Sequence, residues 1–241
     1  MLKYIDSTNT YLRTMPYLAN RIEICVAETQ KSGRGRFCRF WHSPFGQNIY
    51  LSLRYPFRKD VSKLEGLSLV CGLAVCRAVE TTCRLPFPVF IKWPNDVMCK
   101  NKKLAGVLIE IHPSTSKFCS AIVGVGLNAN MKNDLERIIS QNWTSLVNLT
   151  EIYQDRNRLC SSLINNLVHY LEHFSRYGFS FFQSLWKKKD YLFNKPLCLI
   201  ESSKNQFSGI GAGVNEKGNL ILKLTDGLQK SFFSGETNLI K

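Results

Sequence analysis

Lys92-Trp93-Pro94-Asn95-Asp96, followed after a six-residue gap by Lys103-Leu104-Ala105-Gly106, sets two cations and a carboxylate at one strand end. Pro88-Val89-Phe90-Ile91 before it is short, apolar and rich in β-formers, and residues 104–111 after it read the same way. The charged residues between the two runs therefore fall at a turn. Pro94 has a fixed φ and no N–H to give a ladder, so the chain leaves the sheet there and carries Asn95 and Asp96 toward a cleft. Such a group of charges suits phosphate and metal, although an ordinary polar turn has the same composition.

A second run, Glu28-Thr29-Gln30-Lys31-Ser32-Gly33-Arg34-Gly35-Arg36-Phe37-Cys38-Arg39-Phe40-Trp41, follows an apolar strand over residues 22–27. Alternating Gly and Arg makes a poor helix and a poor strand, so the loop is expected to stay mobile until an anion orders it. Guanidinium groups grip phosphate bidentately, and the glycines let backbone N–H groups approach the same oxygens. A solvated basic loop or an Arg-Gly nucleic-acid segment is the other reading, but tracts of the latter kind repeat and this one does not.

At 241 residues and 44% hydrophobic, the chain can bury a core and has room for one large domain and a small one. No run approaches the roughly 20 apolar residues needed to span a bilayer, and the N-terminal residues lack a signal peptide's apolar core. The expected location is the cytoplasm, with no membrane partner. Nine cysteines are scattered without a Cys-x-x-Cys pair, which points to reduced, mostly buried small hydrophobes rather than a zinc site or disulfide framework. The formal charge of +14 asks for an anionic partner: nucleic acid, a nucleotide, or an acidic protein steered by the field.

Ser7, Thr8 or Asn9 can cap a first helix running toward residue 20. Residues 48–53 alternate as a returning strand, and 64–80 read as a buried helix. Residues 104–111 and 119–127 pair across a polar turn at 113–117. A long helical region over 156–186 breaks at Tyr177-Gly178. From residue 195 the texture changes to short β-rich runs punctuated by glycines and an Asp226-Gly227 turn, the pattern of a small antiparallel barrel.

Taken together, these segments resemble the biotin protein ligase family, also called biotin–[acetyl-CoA-carboxylase] ligase. The markers are Ser7-Thr8-Asn9, Gly33-Arg34-Gly35-Arg36, Ser43-Pro44-Phe45-Gly46, the two halves of the opening motif, and Gly124-Val125-Gly126-Leu127-Asn128, in that order across most of the chain. The resemblance implies an α+β fold, a mixed β-sheet packed with helices as in class II aminoacyl-tRNA synthetases, over residues 1–190. A Src-homology-3-like (SH3-like) barrel would occupy 191–241. It implies ATP-dependent, Mg²⁺-assisted chemistry in two steps. Biotin's carboxylate attacks the α-phosphate of ATP to give biotinyl-5′-adenylate and pyrophosphate, and a lysine of a biotin carboxyl carrier protein then attacks the mixed anhydride. No covalent enzyme intermediate is needed, which agrees with the lack of a nucleophile set.

By the same resemblance, Ser7, Thr8 and Gln30 contact biotin, with Gly33 and Arg34 lining that pocket and Gly106 letting backbone approach. Arg36 closes over the adenylate phosphate, and Lys103 bridges the biotin carboxylate and α-phosphate. Asp96 lies near metal and phosphate and is the candidate for deprotonating the incoming lysine, with Lys92 and Asn95 bracing that corner. Arg39 and Trp41 join the ATP set; Asn128 bonds adenine and Trp143 packs on it, unless Trp143 is plain core. Ser7 and Thr8 could equally be a helix cap alone. Family members that repress transcription carry a helix-turn-helix domain ahead of the catalytic domain; here the first marker begins at Ser7, so specific DNA binding is not expected. Family members form dimers by pairing sheet edges, which makes a homodimer a possible assembly.

The Gly-x-Gly at 124–126 superficially suggests a dinucleotide fingerprint, but no further βαβ unit follows. His169 and His173, four apart on a helix, read as surface histidines for want of a third ligand. One departure stands out. Many bacterial members continue the loop as Gly-Arg-Gly-Arg-Arg-Gly-Arg, whereas this chain has Phe37 and Cys38 before Arg39, which should make the loop stiffer and less cationic. Two competing functions share the residues: a lipoate or octanoate ligase of the same fold, and a basic nucleic-acid-binding protein using the C-terminal barrel.

Overall fold

The computed structural model describes residues 1–16, 21–115, 117–134, 138–202 and 205–240. Six strands form the larger sheet: β1 (Glu23–Ala27), β2 (Ile49–Phe57), β3 (Val89–Lys92), β4 (Asp96–Cys99), β5 (Lys102–Thr115) and β6 (Phe118–Leu127), in the order β1-β2-β6-β5-β4-β3. Every ladder is antiparallel, so the mixed character expected of the sheet is confined to isolated parallel bridges such as Leu2 with Ala27 and Lys103 with Trp143.

Strand alternation gives the sheet two unlike faces. Leu51, Leu53, Val107, Val123, Val125 and Leu127 point into the main core beneath α2 (Leu67–Thr82) and α4 (Arg156–Tyr177). α2 is buried nearly all round because it lies between sheet and α4, whereas α4 shows one apolar stripe, Leu159, Leu163, Leu167, Leu171 and Phe174. Asp155 caps α4 by accepting from the N–H groups of Asn157 and Arg158, and Gly178 ends it as expected. The opposite face carries Ser52, Ile122, Gly124, Gly126 and Glu110. The short α1 (Thr8–Thr14) covers only part of it, through Leu12 on Cys25 and Ile122. The rest of that face is open.

Several boundaries differ from the sequence reading. The first helix stops at Thr14, because Pro16 forces Met15 into extended backbone, and residues 17–20 lie outside the described set. The helix expected from residue 64 starts at Leu67, since Asp60 caps a separate 3₁₀ turn at Val61–Leu64 and Gly66 sits in the left-handed region, φ 78°. The stretch taken wholly as a turn after Pro94 holds a strand, β4, with Asp96 as its first residue opposite Lys92. β5 is longer than expected and reaches Thr115, leaving the polar turn expected over 113–117 with only residues 116 and 117, the first of which is outside the described set.

The C-terminal strands β7 (Pro196–Ser202), β8 (Asn205–Val214), β9 (Leu220–Leu224), β10 (Gln229–Phe232) and β11 (Glu236–Leu239) form a five-stranded antiparallel sheet, order β10-β9-β8-β7-β11. The Asp226-Gly227 turn joins β9 to β10, with Gly227 at φ 85°. No ladder joins β10 to β11 among the described residues, so hydrogen bonding does not close this sheet into the barrel the resemblance implies. Its apolar face, Leu197, Leu199, Leu220, Leu222 and Phe232, merges with the main core. Two hydrogen bonds fix it to the opening motif: Trp93 Nε1 donates to the Gly218 carbonyl (3.0 Å) and Thr237 Oγ1 to the Trp93 carbonyl (3.1 Å).

Candidate active site

A cavity of about 650 Å³ lies on the open face of the larger sheet. β6 runs along its floor, and the alternate residues Gly124, Gly126 and Asn128 mark its length. A Cβ on Gly124 would lie 2.2 Å from Asn9 Oδ1, and one on Gly126 would lie 2.3 Å from the Trp41 ring. Gly106 is the register partner of Gly126 on β5, and its Cβ would be 3.0 Å from the same indole. These glycines form a shelf on which Asn9 and Trp41 lie against backbone. The Gly-x-Gly pattern thus answers to close side-chain packing on a strand and not to a helix N-terminus.

One end of the cavity is lined by amides and hydroxyls. Ser7 caps α1 and also faces the cavity, so cap and lining are the same residue. Thr8 donates its N–H (3.0 Å) and its hydroxyl (3.1 Å) to Gln30 Oε1, and Gln30 Nε2 donates to Ser43 Oγ (3.3 Å). Ser52 Oγ sits 2.7 Å from Thr8 Oγ1 and 2.6 Å from Asn9 Oδ1. Asn9 Nδ2 donates to Glu110 Oε2 (2.8 Å), whose other oxygen takes Arg34 Nη2 (2.7 Å). Arg34 therefore lines the cavity with its charge already matched. Gly33 lies beneath the Trp41 carbonyl, Gln30 and Ser43, each within 2.9 Å of where its Cβ would stand.

The other end is cationic. Lys103 Nζ is 2.8 Å from Asp96 Oδ1 and 5.3 Å from the Trp41 ring centroid, which places it where the neutral wall meets the charged one. Lys92 stands opposite Asp96 in the β3–β4 register, and burial pushes its ammonium below the usual lysine range, with Asp96 opposing. Arg36 is lowered for the same reason. Asn95 is occupied structurally: its N–H₂ donates to the Val107 carbonyl (2.8 Å) and its own carbonyl accepts from Val107 N–H (2.9 Å), so it braces the turn. Lys103 also anchors the segment behind it, donating its N–H to Asn142 O (3.0 Å) and accepting from Thr144 N–H (2.9 Å). That places Trp143 at the cavity, half-buried and not in the core. Asn128, buried, donates its side-chain N–H to the Thr144 carbonyl (3.0 Å).

The Arg-Gly loop closes on itself as a narrow hairpin: Trp41 N–H to Gly33 O (2.8 Å), Gly35 N–H to Arg39 O (2.7 Å), and a bridge between Arg34 and Phe40. Main-chain bonds across the loop recover part of the entropy its glycines cost. Its tip reaches the C-terminal sheet, where Arg36 Nη1 donates to Gly235 O (3.0 Å) and Arg39 forms a bidentate pair with Glu236. The Arg39 hydrogen bonds hold the Glu236 carboxyl below its ordinary range.

Among the residues that sequence reasoning gave no binding role are Asn9 and Glu236 in the cavity lining, with Ser52 and Glu110 behind the wall. Glu110 had a signal, as the one acid in an apolar strand and in phase with Gly106; Glu236 had none. Trp41 Nε1 is buried without a hydrogen-bond partner among the described residues, a donor left over for something in the cavity. Among the described residues no three His, Cys, Asp or Glu side chains gather to hold a metal; the His169 and His173 rings lie tilted, centroids 4.3 Å apart, with His173 Nδ1 2.8 Å from the His169 carbonyl. Asp96 can offer a divalent ion one ligand, which suits Mg²⁺ arriving on a nucleotide better than a resident ion.

The amide wall, glycine shelf and cation cluster together define a site for an anion-activating ligase. Residues 1–128 match the model of the Biotin/lipoate A/B protein ligase family. The chain is 36% identical over 239 residues to the bifunctional ligase/repressor BirA of Escherichia coli, covering 99% of this chain and 73% of that protein. It is 27% identical to the biotin–[acetyl-CoA-carboxylase] ligase of Paracoccus denitrificans, covering 98% of this chain and all of that one. The biotin protein ligase of Aquifex aeolicus in complex with biotin and ATP superposes with a TM-score of 0.82 at 30% identity, over 100% of this chain and 97% of that one. The chain belongs to the biotin/lipoate A/B protein ligase family.

Proposed function

We propose that the protein is an ATP-dependent, AMP-forming biotin protein ligase, with residues 1–190 as its catalytic unit and 191–241 as a C-terminal unit. The observation that carries this is the position of Lys103, whose ammonium sits beside Asp96 at the junction of a neutral hydrogen-bonding wall and a cationic one. A ligand with a polar ring and a terminal carboxylate fits the first, a nucleotide polyphosphate the second, and their like charges meet at Lys103. Ser7, Thr8 and Gln30 hold the ring, with Gly33, Gly106 and the charge-matched Arg34 shaping that pocket. Arg36, Arg39, Lys92 and Lys103 face the phosphates, while Asn95 keeps the turn in place. Asn128 and Trp143 border the adenine, and the Trp41 indole covers the point of reaction.

In the first step a biotin carboxylate oxygen bonds to the α-phosphorus and pyrophosphate departs. The protein lowers this barrier by fixed positive charge at oxygens that would repel each other, the kind of electrostatic stabilisation that dominates many enzymes. In the second step the neutral amine of a carrier lysine attacks the anhydride carbonyl and AMP leaves; Asp96, once the phosphates draw Lys103 away, takes the amine proton. Asp96 would hold a Mg²⁺ ion carried in on ATP, which would offset phosphate charge there. The partner is the biotin carboxyl carrier protein of a biotin-dependent carboxylase, encountered in the cytoplasm, and its acidic surface would be steered by the net charge of +14. Specific DNA binding is not part of this reading. β5 beyond Gly106 has no β4 partner and offers an edge for a homodimer.

The test is biotin-dependent ATP–pyrophosphate exchange, followed by transfer of labelled biotin to a carrier domain. Lipoate or octanoate supporting exchange in place of biotin moves the protein to the other branch of its family. Retention on DNA at physiological salt without any exchange defeats the enzyme reading.

A further inference from the structure

We propose that a second cavity, separate from the catalytic one, binds a small carboxylic acid with an apolar body. It measures about 320 Å³, at the lower end of the range for small-molecule sites. It lies at the outer edge of the larger sheet, where the chain pairs with Ile91 of β3 on its way to the C-terminal sheet: Ile91 N–H donates to Lys189 O (2.7 Å) and Tyr191 N–H to Ile91 O (3.0 Å). Phe90 and Met98, cross-strand partners on β3 and β4, line its sheet side. They stand one alternation along the ladder from Lys92 and Asp96 and on the same face, so the two cavities are neighbours, yet they share no lining residue. Phe87, Pro88 and Tyr191 complete an apolar hollow.

Two ammonium groups stand over its aromatic walls. Lys100 Nζ is 4.2 Å from the Phe87 ring centroid, and Lys195 Nζ is 3.6 Å from that of Tyr191. Neither lysine forms an ion pair among the described residues. A π face attracts an ammonium without neutralising it, so both charges stay available to an anion. Their backbones are constrained as well. Lys100 and Asn101 are the left-handed pair of the tight β4–β5 turn, φ 50° and 60°, and the Tyr191 hydroxyl donates to Asn101 Oδ1 (3.0 Å), tying that turn to the segment that carries Lys195. Asp190, the one carboxyl in the lining, is engaged by its own backbone, accepting from Leu192 N–H (2.8 Å). Paired cations beside an apolar hollow are complementary to a carboxylate on an apolar body: the lysines take the charge and the hollow takes the rest.

This site goes beyond the ligase reading and does not rest on it. The probe is 4-phenylbutyrate, titrated into the full chain carrying ¹³C-methyl methionine. Of the four methionines only Met98 lines the cavity, so its methyl resonance, assigned with Met98→Leu, should shift saturably while those of Met1, Met15 and Met131 stay in place. A Kd on the order of 1 mM is expected from the binding energy available per heavy atom to a ligand of this size. The uncharged 4-phenylbutanol should bind about three- to tenfold more weakly, as should the acid to the double variant Lys100→Gln/Lys195→Gln, the range that exposed charge pairs support. Both lysines lie outside the core, and an unchanged methyl spectrum without probe checks that the double variant keeps its fold. Lys103→Ala should titrate like the wild type. Absence of a saturable Met98 shift below about 10 mM would overturn the site. Alcohol and acid binding alike, or equal affinity in the double variant and the wild type, would overturn recognition by the two cations. A Met98 response lost in Lys103→Ala would place the probe in the catalytic cavity and overturn the assignment.

Discussion

The amide wall and the cationic wall of the cavity are built in opposite ways. Thr8, Asn9, Gln30 and Ser52 hydrogen-bond one another on α1, just past β1 and on β2, so their orientations are fixed mainly by neutral partners beside the core, with the Glu110–Arg34 pair behind Asn9. Arg36, Arg39, Lys92 and Lys103 come from a loop tip and from two strand positions, and their partners are carboxylates or carbonyls that phosphate can replace. A neutral network gains nothing from salt and little from pH, while displaceable ion pairs respond to both. One wall is a fixed mould; the other holds its charge in stand-in contacts until the substrate takes over.

The largest expected effect that separates the two is at their junction. Lys103→Ala should lower biotin-dependent pyrophosphate exchange by about 10²- to 10³-fold, the range for losing one preorganised donor, with a smaller loss of biotin affinity because the carboxylate loses its cation while the amide wall stays in place. Parallel loss of biotin binding would mean the walls are not separable. Gly124→Ala attacks the neutral wall alone: its Cβ would stand 2.2 Å from Asn9 Oδ1. Biotin affinity by calorimetry should fall by about tenfold or more, within the range of overpacking costs, with nucleotide affinity retained. Raising KCl from about 50 to about 500 mM should raise KM for ATP several-fold, since the Debye length shrinks from roughly 14 to roughly 4 Å, and leave KM for biotin in place.

The smallest effect is that of pH on the loop's attachment. Glu236 is held below its ordinary value of 4.5, chiefly by the Arg39 hydrogen bond, so the pair's contribution is complete above that value and is lost as pH falls through the folded-state value. Amide hydrogen exchange across residues 35–39 should therefore show no change in protection of pH origin from neutrality down to about pH 5 and a loss of protection on further acidification. In Glu236→Gln that acid-dependent loss should be absent.

Much of the fold was legible because it follows local periodicity. The apolar stripe of α4, its break at Gly178, the β5–β6 hairpin and the Asp226-Gly227 turn all lie within a few residues of their signals. β4 was hidden because four residues between two turns carry too little alternation to announce a strand. The extent of α1 was misread because the reading followed the cap at Ser7 and not the stop imposed by Pro16. For the site, the residue types of the opening motif and of the loop were apparent. Arg34 as a charge already matched by Glu110, the Val107 partner through which Asn95 braces the turn, and Trp143 at the cavity rather than in the core depended on long-range contacts.

Sequence alone determined the order of elements, the glycines at 106, 124 and 126, and the excess of cations, since hydrophobic period, missing side chains and formal charge are properties of the chain itself. Tertiary structure decided that those glycines become one shelf under Asn9 and Trp41, and that Glu236, 140 residues beyond Asp96, anchors the loop beside it. Strand register and the docking of the second sheet produce those meetings. They are set by core packing summed over the whole molecule, and no local stretch of residues encodes them.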